Sequence, residues 1–214
     1  MGILLYILEA FLAVFIVLTP FVGVSCFVAL SDGLPGQPER NRAALRTSAA
    51  VAVIMLLFLF GGNYLFRLFG ITLPAFQIAG GVVIFANGLA MVRAHTAAKF
   101  TDEEAREGAG KEDFTVVPLA VPMLCGPATI STVILYAAEA RDGVRVAGLV
   151  VAVVAASASI YVLLRLSAQI SRMLGIAGMN VLTRIMGLML ASLAVQIMLK
   201  GIAASYELIR STPA

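Results

Sequence analysis

Charge, histidine and cysteine are all scarce in this chain. A single histidine, His95, excludes an HExxH zinc site and any histidine-rich metal cluster. Two cysteines, Cys26 and Cys125, both lie inside apolar runs and give no disulfide framework. No Walker motif and no pair of intramembrane aspartates is present, so the sequence reads as no enzyme and implies no cofactor. Charged residues make up only 13% of the chain, about half of the ~25% usual in a soluble domain. No Lys or Arg precedes the apolar run that starts at Ile3, so that run reads as a first membrane helix and not as a cleavable signal. The net charge of +3 is modest and its basic residues sit between apolar runs. That placement reports membrane orientation and argues against nucleic-acid binding.

What is abundant is long apolar sequence: 61% of residues are hydrophobic and the mean hydropathy is +1.00. Six apolar segments can be drawn, at about 3–30, 43–66, 73–92, 114–138, 144–164 and 181–199. A membrane β-barrel would instead show alternating strands of ~10 residues. The first segment is too long for one straight helix across a ~30 Å bilayer core. Thr19-Pro20, with Gly23 just after, places a break there. Residues 31–41 hold two prolines and two glycines and are expected to form a loop. Residues 95–113 are the only sizeable polar stretch, with a capping-box pattern at Thr101 and Glu104 and a stop at Gly108 and Gly110. The loops after segments one, three and five carry ten Lys and Arg, the opposite side five. The positive-inside rule therefore predicts both termini on the non-cytoplasmic side.

The stretch 116–136 departs most from an ordinary span. It carries no charge, three prolines (Pro118, Pro122, Pro127) and three hydroxyls (Thr129, Ser131, Thr132). Each proline removes a donor and blocks a carbonyl, and in lipid such freed groups need a partner. Halving the chain and superposing the halves pairs Pro20 with Pro127, Asp32 with Glu139, Gly80 with Gly187 and Met91 with Met198. A small further shift matches Arg67-Leu-Phe-Gly-Ile71 with Arg172-Met-Leu-Gly-Ile176. Ala44, Ser48 and Ala52 likewise parallel Gly148, Ala152 and Ala156, a spacing that lets membrane helices approach closely. Three spans per half reverse the chain's direction, so the halves are expected to be inverted. The predicted fold is an all-α membrane protein of six transmembrane helices in two inverted three-helix repeats, each with a Pro-broken first helix. Residues 1–94 form the first repeat, 95–113 a cytoplasmic linker and 114–214 the second.

Leu73–Gly81 (LPAFQIAGG), Val117–Ile134 (VPLAVPMLCGPATISTVI) and the Pro20–Gly23 break resemble the MarC family of integral membrane proteins. The likeness covers nearly the whole chain. The family is also called the neutral amino acid transporter family, which implies small neutral amino acids as substrates. Where that family commonly has Asn-Pro-Ile-Gly at the first break, this chain reads Thr19-Pro20-Phe21-Val22-Gly23.

A zwitterionic ligand needs donors for its carboxylate and acceptors for its ammonium. Helices restarting after Pro20 and Pro127 expose N–H groups, and the helices that end before them expose carbonyls. Thr19, Gly23, Ser25, Gly126, Thr129, Ser131 and Thr132 complete the substrate-binding candidates around the breaks. Gln77 and Asn87, on one face of the third segment, are candidates to line a polar path, with helix packing as the alternative. Glu9, an acidic residue inside an apolar run, is the candidate for proton coupling, with an interfacial position as the alternative. The predicted function is a secondary transporter of small neutral solutes in the cytoplasmic (inner) membrane, working by alternating access. Proton or sodium coupling and a homo-oligomer are both compatible with it. A partner-binding membrane scaffold and a channel are the alternatives.

Overall fold

Proline decides where helices begin in this chain. Pro20, Pro38, Pro74 and Pro127 each sit in the first turn of a helix, where a missing N–H has no partner to lose. The structure is a computed structural model that describes residues 2–31, 33–93, 114–140 and 142–211, and these are all-helical apart from short connections. Helix α1 (Ile3–Val17) meets α2 (Pro20–Leu30) at a 44° bend. Helices α3 (Gln37–Phe69) and α4 (Leu73–Val92) follow. Segment α5 (Thr115–Leu124) meets α6 (Pro127–Glu139) at 66°, and α7 (Gly143–Arg165) and α8 (Ser167–Ser211) complete the chain. Among the described residues four helices are long and apolar enough to cross a membrane, or up to six spans if each bent pair counts as one.

Helices lie where the apolar runs place them, with three differences. The loop expected over 31–41 is shorter, because α3 already starts at Gln37 with Pro38 in its first turn. Helix α8 begins at Ser167, not near residue 181. It is interrupted only at Gly175, whose φ of 60° and ψ of −177° suit a residue without a Cβ. Segment α5 is not a regular α-helix. Val117 and Val121, each before a proline, are extended (φ −128°, ψ 117° and φ −131°, ψ 128°), as crowding by the proline ring favours. Both Val-Pro bonds are cis. Hydrogen bonds in α5 reach five residues back, from the Leu119 N–H to the Phe114 carbonyl at 3.2 Å and from the Cys125 N–H to the Ala120 carbonyl at 2.8 Å. The expected linker at 95–113, together with Asp32 and Arg141, lies outside the described residues.

Small residues set the packing. A Cβ added at Gly88 would stand 2.8 Å from the Gly187 carbonyl oxygen, and one at Gly201 would stand 2.8 Å from the Gln77 Cβ. Early α4 thus meets late α8 and late α4 meets early α8, so the two helices run antiparallel in close contact. Lipid tails are as apolar as the side chains, so such close approach supplies the attraction that water supplies elsewhere. The remaining contacts are reciprocal. Helices α1 and α2 pack on α7, and α5 and α6 pack on α3. Helix α2 meets α8 as α6 meets α4, while α3 faces α7. Leu57 and Phe60 on α3 and Leu188 and Leu199 on α8 point outward, an apolar surface for a bilayer to cover.

Gly88→Leu is expected to separate α4 from α8 and to destabilise the protein by at least about 1–3 kcal/mol through overpacking. Gly61→Ala, where an added Cβ meets nothing within 4 Å, is the control. Unfolding temperature in detergent checks this: only the Gly88 variant should fall.

Candidate solute-binding site

A helix broken inside hydrocarbon leaves amide and carbonyl groups that no water can reach. Here both breaks are drawn to one side chain. Thr129, in the first turn of α6 and 2% exposed, has its Oγ1 2.8 Å from the Leu124 carbonyl oxygen and 3.3 Å from that of Val17. Those carbonyls end α5 and α1, so the hydroxyl's one proton goes chiefly to Leu124 and is shared at longer range with Val17. The rest of the second break is pinned to α3. The Thr47 hydroxyl donates to the Thr115 carbonyl at 3.1 Å, and the Cys125 thiol lies 3.8 Å from the Val51 carbonyl. Of the helix-terminal carbonyls expected to face a ligand, that of Leu124 is engaged by Thr129 at 2.8 Å and that of Val17 is met by the same hydroxyl only at 3.3 Å.

A cavity of about 250 Å³ lies between the two breaks and α4. Thr19, Asn87, Gly126, Pro127 and Thr129 line it, together with Val17, Val22, Val83, Met91, Pro122, Met123 and Ala128. No lining side chain is charged. The polar groups that remain are unusually available. The Thr19 hydroxyl and the Asn87 amide make no hydrogen bond to any described residue. Thr19 also has φ 47° and ψ 56°, a left-handed conformation that a β-branched residue rarely adopts. Strain of this kind costs on the order of 1–3 kcal/mol and gathers at functional sites. No side chain caps α2 or α6, so their first-turn N–H groups, next to the cavity at Val22 and Ala128, lack intrahelical acceptors.

The other candidates stand elsewhere. Pro20 sets the bend but does not line the cavity, and Gly23 is packed, since a Cβ there would stand 2.8 Å from Leu124 Cδ2. Ser25 and Thr132 donate to the carbonyls four residues back, of Phe21 at 3.1 Å and Ala128 at 2.9 Å, and so repair the helix ladder. Ser131 faces α4, where it would stand 3.3 Å from a Cβ placed on Gly80. Gln77 donates to Glu139 Oε1 at 3.0 Å, away from the cavity. Glu9 lines a separate cleft with Tyr136, Glu139 and Lys200.

The sequence profile of MarC family integral membrane proteins matches residues 4–206. The chain belongs to the MarC family. It is 36% identical over 198 residues to the UPF0056 membrane protein MJ1677 of Methanocaldococcus jannaschii, covering 92% of this chain and 96% of that one. It is 32% identical over 209 residues to the UPF0056 membrane protein YvbG of Bacillus subtilis (96% and 98% covered). Over 193 residues it is 31% identical to the UPF0056 membrane protein YhcE of Escherichia coli (90% and 89% covered). No solved structure matches the chain at a significant level.

In this MarC-family chain the apolar part of the cavity wall was not read from sequence. Val83, Asn87 and Met91 recur every four residues on α4, so a stripe drawn through Asn87 would have found its neighbours. Pro122 and Met123 carry no such signal, because only the turn of α5 aims them inward.

Thr129→Val keeps shape but leaves the Leu124 carbonyl without its donor, which is expected to cost about 1–3 kcal/mol. Thr129→Ser, which keeps the hydroxyl, should recover most of that loss. Reversible unfolding of the purified variants in mixed detergent micelles checks the order.

Proposed function

We propose that this protein is a secondary transporter of small neutral solutes, specifically neutral amino acids, working by alternating access in the cytoplasmic (inner) membrane. The observation that carries the reading is the uncharged cavity at the meeting of two broken helices, with the Thr19 hydroxyl and the Asn87 amide left unbonded. Uncapped N–H groups at the starts of α2 and α6 suit a carboxylate, and the side-chain oxygens of Asn87 and Thr19 suit an ammonium. A net-charged solute would enter such a site unpaired, which is costly in a low-dielectric interior. A neutral or zwitterionic one would not.

Two inverted repeats, residues 1–94 and 114–214 with a cytoplasmic linker between, supply the alternation. Three features support this arrangement. Pro20 and Pro127 open the second limb of each broken span. Gly70 and Gly175, which follow the matched Arg67 and Arg172, both have positive φ, of 64° and 60°. The antiparallel α4–α8 pair and the reciprocal contacts fit a two-fold axis in the membrane plane. Inverted repeats with discontinuous helices at the midplane are a common transporter construction. Both termini then face away from the cytoplasm, and a proton or sodium gradient supplies the direction.

Uptake of labelled alanine into proteoliposomes, with proton or sodium gradients imposed, tests the reading. Saturable, gradient-dependent uptake is expected, and Asn87→Ala should raise KM about tenfold, the weight of one hydrogen bond of about 1.4 kcal/mol. Absence of uptake by folded, inserted protein under either gradient would count against transport of amino acids and favour a scaffold. Uptake that never saturates would point to a channel.

A further inference from the structure

The face that holds the start of α1 carries a second concavity, of about 720 Å³ and of different character. Tyr6, Glu9, Tyr136, Glu139, Arg145 and Lys200 line it, so carboxylates and cations share one cleft. A smaller hollow between α6 and α8 continues it, sharing Glu9, Tyr136, Glu139 and Lys200 and adding Gln196. The charges here are incompletely matched. Glu139 accepts from the Gln77 amide at 3.0 Å through Oε1, while its Oε2 lies 3.9 Å from Lys200 Nζ, the outer limit of an ion pair. Arg145 lies 3.6 Å from Asp142 on its own helix turn, and its guanidinium sits 5.8 Å over the Tyr6 ring. Glu9 makes no ion pair or hydrogen bond with any described residue, although it projects from the apolar α1. The Tyr6 hydroxyl is shielded from solvent and has no hydrogen-bond partner either.

Charges at helix ends are ordinarily solvated and without consequence. Glu9 differs in its surroundings: though exposed, it stands two turns into the apolar α1 and lines a concave polar site that also holds cations. Ionisable groups in such positions mark solute pathways. The cleft offers a carboxyl acceptor with no partner among the described residues and, lining the same cleft, two cations held only loosely.

We propose that this cleft is an outer capture site for small solutes bearing both an ammonium and a carboxylate, with Glu9 accepting from the ammonium and Lys200 and Arg145 meeting the carboxylate. The proposal rests on the transport reading, for which it supplies a first stop before the uncharged cavity. The two sites divide the work. The outer one selects by charge and so must be weak and wet. The inner one selects by hydrogen bonds and size.

Equilibrium binding of labelled alanine to the purified protein in lipid nanodiscs tests it. Two saturable sites per chain are expected. Glu9→Gln, which keeps the side chain's shape, should weaken one by about tenfold or more and spare the other, whereas Asn87→Ala should do the reverse. Ethylamine, which lacks the carboxylate, should compete poorly at the outer site, and Lys200→Gln combined with Arg145→Gln should bring alanine down to ethylamine's level. A single site that is lost in Asn87→Ala and indifferent to Glu9→Gln would overturn the outer site and leave the transport reading standing. A single site lost only in Glu9→Gln would keep the cleft and overturn the cavity as the binding place. Equal competition by ethylamine would overturn the carboxylate half of the proposal. No alanine binding in any variant would overturn both.

Discussion

Two interrupted helices can coexist inside a bilayer only if their severed ends find partners within the protein, because each orphaned group in hydrocarbon costs several kcal/mol. The Thr129 hydroxyl meets that constraint at the centre of this molecule, within reach of the carbonyls that end both α1 and α5. Much of the local architecture depends on it. Because the carbonyls converge on one buried side chain, the two breaks are held beside one another and the cavity opens between them. Beside them, the polar groups that face the cavity without a partner are the N–H ends of α2 and α6, the Thr19 hydroxyl and the Asn87 amide. The site is therefore polar without being charged.

Around this centre the bundle is closed by glycine. At Gly88 and Gly187 the backbones of α4 and α8 approach so nearly that no side chain could stand between them. In water such a contact would add little to ordinary burial, but in lipid it is close packing itself that favours association. Glycine also acts through conformation at Gly70, where the positive φ ends α3, and at Gly175, where it interrupts α8 with a kink. The same residue type thus fixes both how helices meet and where they turn.

Charge is distributed as dielectric cost requires. The cavity has none, whereas the cleft at the α1 face has carboxylates and cations together. Opposite charges near water need only partial pairing, so a 3.9 Å Glu139–Lys200 contact can be tolerated there. The same contact at the midplane would leave costly unpaired charge. A solute moving from cleft to cavity would exchange charge pairing for hydrogen bonding.

The sequence alone determined the helical, multi-span character, the positions of most spans and both breaks, because length, apolar content and proline act locally. It also sufficed to place the chain in its family through Leu73–Gly81 and Val117–Ile134. It placed the start of the last span near residue 181, whereas helix begins at Ser167 and resumes after a kink at Gly175, because a glycine's effect on a helix depends on what packs on either side of it. Hydroxyls were the least legible feature. Thr129, Ser131 and Thr132 look alike in sequence, yet one bridges two breaks, one faces α4 and one repairs its own helix. Their roles differ by which helix face they occupy and by what a distant segment brings opposite. Val17 and Asn87 reach the cavity from parts of the chain far from Thr129, and only tertiary packing decides that meeting. A side chain's hydrogen-bonding capacity is written in its type, whereas its partner is set by the approach of other helices.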